Sequence, residues 1–305
     1  MSASIKKLED YNPSNFSVSE VSLIFDIQET KVIVTSDMSL VKRNENVKHL
    51  YLDGDELQII DIKIDNRQLD KGEFIYEQAC LKLPADKAAF TVQTKVEINP
   101  YKNTQLEGLY ASQTGLFTQC EAEGFRKITF FLDRPDVMAR YKTKIIADKN
   151  TFPVLLANGN LSSEGVTENG KHWKAYYDPF PKPSYLFALV AAKLEQTTDF
   201  IKTRSGKTAE LSIFVEPGKL HLTSFAMDSL KNSIKWDEDT YDLELDLEQY
   251  KIVAVGDFNM GAMENKGLNI FNTKYVLADS NTATDRDLMM LDRVIAHEYF
   301  HNWTG

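Results

Sequence analysis

Between Phe16 and Ile98 the chain changes face at almost every residue. Val21, Leu23, Phe25 and Ile27 alternate with neighbours of other character, and Val32 to Val41, Leu57 to Ile64, Phe74 to Leu83 and Phe90 to Ile98 repeat the theme. A period of two suits only a strand with one face against a core. Between the runs stand turn formers, Asp53-Gly54-Asp55, Asp65-Asn66, Lys71-Gly72 and Pro84-Ala85-Asp86, so successive strands must double back. The pattern predicts a large antiparallel sheet or sandwich. Leu116 to Cys120, Tyr141 to Ala147, Phe152 to Ala157, Trp173 to Tyr177 and Tyr185 to Leu194 resume it, while residues 99–140 hold no other core strand. The last run is nearly continuous apolar residues, as in a strand covered on both faces. Three prolines in residues 178–183 predict a stiff connection there.

A domain boundary is expected near residue 193. The second region opens with a strand at Glu210 to Val215; Leu222 to Lys235 carries Phe225, Met227, Leu230 and Ile234 at helical spacing. The acidic run from Asp237 to Glu248 reads as a solvated face. Tyr250 to Val255 is a buried-looking strand, followed by a glycine-rich loop and a strand at Leu268 to Phe271. The expected organisation is a mainly β domain over 1–193 and an α+β domain over 194–305.

With 305 residues, two domains can each bury a core. A surplus of 45 acidic over 35 basic residues gives a net charge of −10, which argues against a surface for nucleic acid or anionic lipid and favours a cationic partner. Cys80 and Cys120 are the only cysteines, so no disulfide framework holds the fold and each is expected to pack as a small hydrophobe. No apolar run reaches membrane-spanning length. Together with an N-terminus lacking a leader pattern, this predicts a cytoplasmic protein, expected to be a monomer.

The densest chemistry lies in Arg293-Val-Ile-Ala-His-Glu-Tyr-Phe-His-Asn-Trp303. On a helix, His297 and His301 share one face and can share one ion. Glu298, about 100° round, reaches a water beside that ion without binding it. Neutral imidazoles suit zinc, which acidifies water, and the carboxylate takes the proton. Leu288, Leu291, Ile295, Tyr299 and Trp303, widened by Met289, Ala296 and Phe300, predict a buried helix, and Thr284 with Asp287 resembles a capping box that starts it near Asp285. His49, His172 and His221 lack ligand spacing and read as ordinary surface or loop residues.

Gly256-Asp-Phe-Asn-Met-Gly-Ala-Met-Glu-Asn-Lys-Gly267 is the second informative stretch. Gly261 lets a ligand approach the backbone and Glu264 offers a carboxylate beside it; alone, the segment equally suits a glycine-rich turn with a solvent-facing Glu. Gly-Ala-Met-Glu-Asn at 261–265 some thirty residues before His-Glu-x-x-His, with Gln119-Cys-Glu-Ala-Glu-Gly-Phe-Arg126 and the ending His-Glu-Tyr-Phe-His-Asn-Trp-Thr-Gly305, resembles the zinc aminopeptidase N family, in particular its bacterial alanyl branch. The resemblance covers the whole chain. It implies an N-terminal β-sheet saddle followed by the first part of a thermolysin-like catalytic domain. It makes His297 and His301 zinc ligands and Glu298 the general base. Glu264 and Glu121, with Gln119 beside them, would hold the α-amine of a peptide with a free N-terminus, and Gly261, Ala262, Met263 and Asn265 would line the same substrate site. An α-amine, with a pKa near 7.7–8.0, is mostly cationic at neutral pH, so paired carboxylates select it.

The resemblance also places a third ligand, a glutamate, about twenty residues past His301 and so beyond residue 305, with an oxyanion-stabilising tyrosine farther on. The 305 residues are therefore expected to be the front third of an enzyme binding one Zn²⁺, and by themselves to hold zinc weakly and lack activity. Competing readings are a gluzincin epoxide hydrolase with aminopeptidase activity, a thermolysin-like endopeptidase that needs no amine clamp, and a non-catalytic β-rich binding module.

Overall fold

The computed structural model describes residues 7–304. Its first part comprises β1 (Phe16–Ile27), β2 (Val32–Lys42), β3 (His49–Asp53), β4 (Gln58–Ile64), β5 (Arg67–Gln68), β6 (Ile75–Glu77), β7 (Cys80–Pro84), β8 (Ala89–Ile98), β9 (Gly108–Ser112), β10 (Gly115–Gln119), β11 (Ala139–Ala147), β12 (Val154–Ala157), β13 (Asn160–Val166), β14 (His172–Lys182) and β15 (Leu189–Ala192). There follow β16 (Glu195–Lys202), β17 (Thr208–Val215), α1 (Ser224–Tyr241), β18 (Gln249–Val255), β19 (Ala262–Met263), β20 (Leu268–Asn272) and α2 (Asp285–Phe300).

The alternating runs become an eight-stranded sheet in the order β13-β14-β11-β1-β2-β8-β4-β5, antiparallel except where β1 lies parallel to β11. Val21, Leu23, Phe25 and Ile27 are buried on one face, opposite Met38, Ser36, Val34 and Val32 of β2. Each such large apolar side chain contributes about 1.5–3 kcal/mol by leaving water. A three-stranded sheet, β3-β7-β6, closes part of this core with Leu50, Leu52, Leu81 and Leu83.

The layers behind it are ordered by the same period of two. The four-stranded sheet β12-β15-β10-β9 sends Leu189, Ala191, Leu116 and Leu155 into the core of the large sheet. It sends Val190, Ala192, Phe117 and Leu156 the other way, against Phe214, Val253, Val255, Leu268 and Ile270 of the next sheet. That next sheet, β16-β17-β18-β20-β19, turns Leu211, Ile213, Ile252 and Ala254 onto α1 and α2. Both inner sheets are thus covered on both sides, which is why β15 reads as an unbroken apolar run and β18 as one interrupted after Tyr250 only by the buried Lys251. The change from one sheet to the other falls between Ala192 and Glu195.

Several expectations need correction. Gly108 to Ser112 forms a strand within the segment expected to hold only one, and β16 precedes the strand expected to open the second region. The run Phe74 to Leu83 is a hairpin, broken where Gln78 and Ala79 adopt positive φ. The proline-rich stretch is no separate connection, because β14 continues to Lys182. Asp237 and Glu238 belong to α1 and are buried, so that part of the acidic run is not a solvated face. The α2 helix is not buried all round: Leu291, Ile295, Glu298 and Tyr299 face inward, whereas Met289 is 63% exposed and His297 lies on the open side. His172 is buried on β14, its Nε2 2.8 Å from the Phe152 carbonyl.

Candidate metal and substrate site

The α2 helix begins where the capping box was expected, with Thr284 and Asp287 exchanging hydrogen bonds at the first turn. Leu291, Ile295 and Tyr299 recur at every fourth residue and seat the helix on the five-stranded sheet. This seating fixes the helix phase, and therefore where the polar residues point. Glu298 is carried inward to 6% exposure, while His297 and His301 stand at the rim.

The imidazole Nε2 atoms of His297 and His301 lie 3.2 Å apart with the rings at 89°. Two nitrogens bound tetrahedrally to zinc at about 2.0–2.1 Å would be roughly 3.3 Å apart, so the pair fits this ion. The other nitrogen of His301, Nδ1, is 2.5 Å from the Thr304 carbonyl, which accepts its proton and leaves Nε2 with a free lone pair. The chain thus supplies two nitrogen ligands on one helix and a carboxylate next to them.

Opposite α2 lies the glycine-rich loop. Its middle residues form β19, the terminal strand of the five-stranded sheet, pairing Ala262 with Phe271 and Met263 with Ile270. Asn272 donates to the Gly261 carbonyl at 2.9 Å, and a side chain at 261 would press on the Tyr275 ring at 3.3 Å. Glu264 follows directly. One oxygen each of Glu264 and Glu298 and one nitrogen of His301 lie within 4.8 Å of one another.

Gln119 and Glu121 arrive from the four-stranded sheet, at and just past the end of β10. The Gln119 amide donates to the Glu121 carbonyl at 3.3 Å and approaches the Met260 sulfur at 3.4 Å, tying that turn to the glycine-rich loop. Glu121 stays exposed at the mouth of the cleft, where partial desolvation pushes its carboxyl up, with Glu264 adding repulsion and His301 opposing it. Glu298 is pushed up to about 8 by burial first, then by the negative charges of Glu264 and Glu121. Three carboxylates share one cleft. The nearby lysines are already matched, Lys182 to Asp178 at 2.9 Å and Lys266 to Asp246 at 2.6 Å. Such a cleft attracts cations.

The structure therefore brings together Gln119, Glu121, Glu264, His297, Glu298 and His301. Of the other loop residues, Met263 and Asn265 turn away: Met263 is fully buried between the two inner sheets, and the Asn265 amide donates to the Phe187 carbonyl at 3.3 Å. Ala262 lies on the terminal strand at the sheet edge, next to Gly261, whose carbonyl is held by the Asn272 amide. A cavity of about 540 Å³ beside Glu264 and His301 is walled by Phe180, Tyr185 and Trp303, among others. Sequence reading missed Tyr185 and Met260, which carry no spacing that distinguishes them from core residues. A larger cavity of about 1030 Å³, beside Tyr101, Asp148 and Lys171, contains none of the residues of the cleft.

Layered sheets behind a helix bearing two imidazoles and a carboxylate define a metallopeptidase-type scaffold. Residues 12–186 match the peptidase M1 N-terminal domain and residues 225–305 the peptidase family M1 domain. The chain belongs to the M1 peptidase family. It is 49% identical over 300 residues to aminopeptidase N of Escherichia coli, covering 98% of this chain and 34% of that protein. It is 48% identical to aminopeptidase N of Haemophilus influenzae, covering 100% of this chain and 35% of that protein. Among solved structures, Legionella pneumophila aminopeptidase A in complex with aspartic acid superposes with a TM-score of 0.93 at 34% identity, over 98% of this chain and 36% of that one. The chain spans about a third of the length of the curated relatives it matches.

Proposed function

We propose that the protein is a zinc-dependent aminopeptidase, releasing residues from peptides with a free N-terminus, and that the domain boundary lies near residue 193. The observation that carries the reading is the convergence of Glu121, Glu264 and Glu298 on the face of α2 that bears His301. One carboxylate suffices as a base; the other two are accounted for by a cation on the substrate.

His297 and His301 would hold the zinc, whose chemistry is that of a Lewis acid that acidifies water and polarises a carbonyl. Glu298 takes a proton from the water that attacks the first peptide carbonyl carbon. As the C–N bond breaks, Glu298 returns the proton to the departing nitrogen. Glu264 and Glu121 receive the ammonium group, which fixes the first peptide bond over Glu298 and turns away chains whose amine is blocked. The outer edge of β19 at Ala262, with Gly261 just before it, suits backbone pairing with an extended peptide. Among the described residues no helix is long and apolar enough to cross a membrane. The free thiols Cys80 and Cys120 support a reducing compartment, the cytoplasm.

The test uses the zinc-loaded protein as its gene encodes it. Alanyl-p-nitroanilide should be cleaved and its N-acetyl counterpart left intact. Glu264→Gln should lower kcat/KM for the free-amine substrate by about 10²-fold, in line with loss of a charged partner in a shielded site. Equal cleavage of the acetylated substrate, or an indifferent Glu264→Gln, would point instead to an endopeptidase.

A further inference from the structure

We propose that Lys266 and Asp246 are positioning residues that lock the amine-binding loop to the end of the hydrolytic helix and so set the span between Glu264 and His301. The proposal rests on the aminopeptidase reading above.

Lys266 follows Glu264 by two residues, on the loop that leaves β19. Its Nζ lies 2.6 Å from Asp246 Oδ2 and donates to the Asn302 carbonyl at 3.2 Å. The Asn302 side-chain amide donates in turn to Asp246 Oδ1 at 3.2 Å. Three segments that are far apart in sequence thus close into one triangle: the loop after α1, the loop after β19, and the turn that ends α2. The helix contributes the residue directly after His301. A cation on the carbonyls that end a helix also meets the negative pole of its dipole.

The triangle is shielded, with the Lys266 and Asp246 side chains only 11% and 16% exposed. The ammonium sits 5.0 Å from the centre of the Phe180 ring and 5.3 Å from that of Trp303. In such surroundings an ion pair is screened less than one in water and holds its geometry more tightly. The Lys266 backbone is anchored as well, its carbonyl accepting from the Asn158 amide at 2.9 Å, while Asn158 also binds the Leu186 carbonyl and the Ala188 amide. The loop is therefore referenced to the N-terminal layers through its backbone and to α2 through its side chain.

The consequence falls on the distance that matters for the chemistry. Glu264 and His301 approach within 4.8 Å, and each is at most two residues from a corner of the triangle. Without the Lys266 side chain, Glu264 still offers a carboxylate to an ammonium. The peptide carbonyl it delivers, however, would no longer be held over Glu298, and a misplacement of about 1 Å costs on the order of 10²-fold in rate.

The experiment compares Lys266→Met, Lys266→Arg and Asp246→Asn with the unsubstituted protein, as its gene encodes it, on alanyl-p-nitroanilide. kcat is expressed per bound zinc, and zinc release to a chelator is followed separately. Lys266→Met should lower kcat per zinc about 10- to 100-fold with KM within about threefold, and should release zinc several times faster. Lys266→Arg should recover to within about threefold, because a guanidinium can reach both the carboxylate and the helix carbonyl. Asp246→Asn should fall about 3- to 10-fold. A Lys266→Met protein with unchanged kcat per zinc, or a Lys266→Arg protein as impaired as Lys266→Met, overturns the positioning role. Should Lys266→Met fail to fold, an unchanged kcat per zinc in Asp246→Asn overturns it equally. Unsubstituted zinc-loaded protein that does not cleave the substrate overturns the aminopeptidase reading and the positioning role together.

Discussion

On the eight-stranded sheet, Glu20 meets Lys142 at 2.7 Å, Asp26 meets Lys171 at 2.6 Å and Glu97 meets Lys31 at 2.7 Å. Asp65, bonded to the Lys87 ammonium and the Thr91 amide, is held below the usual carboxylate range. In the cleft beside α2 the same chemical group behaves in the opposite way: Glu121, Glu264 and Glu298 face one another, and burial with mutual repulsion pushes Glu121 and Glu298 up. Glu20, Asp26 and Glu97 thus find their counter-charges within the fold. The cleft gathers carboxylates next to a pair of imidazoles, an arrangement whose charge is relieved by proton uptake, as the raised Glu121 and Glu298 show, or by cations from outside, a metal ion and an ammonium group.

The sharpest way to break this contrast is to remove the innermost carboxylate. Glu298→Ala in the zinc-loaded protein, as its gene encodes it, should lower kcat by about 10³-fold or more, through loss of the base and of water positioning. Zinc content should remain near that of the unsubstituted protein, because both imidazoles are kept. Near-normal turnover at full zinc content would show that the base lies elsewhere.

A second buried carboxylate separates the cost of burial from function. Asp237, on α1, is 1% exposed, its Oδ2 has no hydrogen-bond partner among the described residues, and burial pushes it up to about 6. Between about pH 4 and 6 the folded chain therefore binds more protons at this site than the unfolded chain. The contribution of Asp237 to stability accordingly falls as pH rises through that window and stays unfavourable above it. Asp237→Asn should leave urea stability of the 305-residue chain within about 0.5 kcal/mol at pH 4 and raise it by about 2 kcal/mol at pH 8. Equal stability at pH 8 would mean that a neighbouring group already compensates the charge.

How far the sequence discloses this molecule depends on whether a feature is local. The β1 and β2 strands were legible because one face meets a core and the other does not. β16 was not, since Glu195 to Lys202 is mostly polar and becomes a strand only by pairing with β17 along its length. Asp237 looked like part of a solvated acidic run, but it falls on the helix stripe of Leu230 and Ile234, and helix phase overrides charge there. The imidazole pair was legible from its four-residue spacing. That Glu121 shares a cleft with Glu264 was available only through the family resemblance, since the two come from different sheets. The link from Lys266 through Asp246 to Asn302 left no trace in any local pattern.

The smallest effect tests the other side of the contrast. If the carboxylates of the large sheet are satisfied but exposed, deleting a partner should matter little, because water replaces the lost ammonium. The side chains of Lys142 and Glu20 are 53% and 33% exposed, with Lys142 also 5.7 Å from the centre of the Tyr177 ring. Lys142→Ala should therefore shift urea stability by no more than about 0.5 kcal/mol, and less in 1 M salt, as for exposed pairs generally. A loss above about 1 kcal/mol that persists in salt would place real electrostatic weight on the sheet face. The distinction between a surface that merely balances its charges and a cleft that accumulates them would then fail.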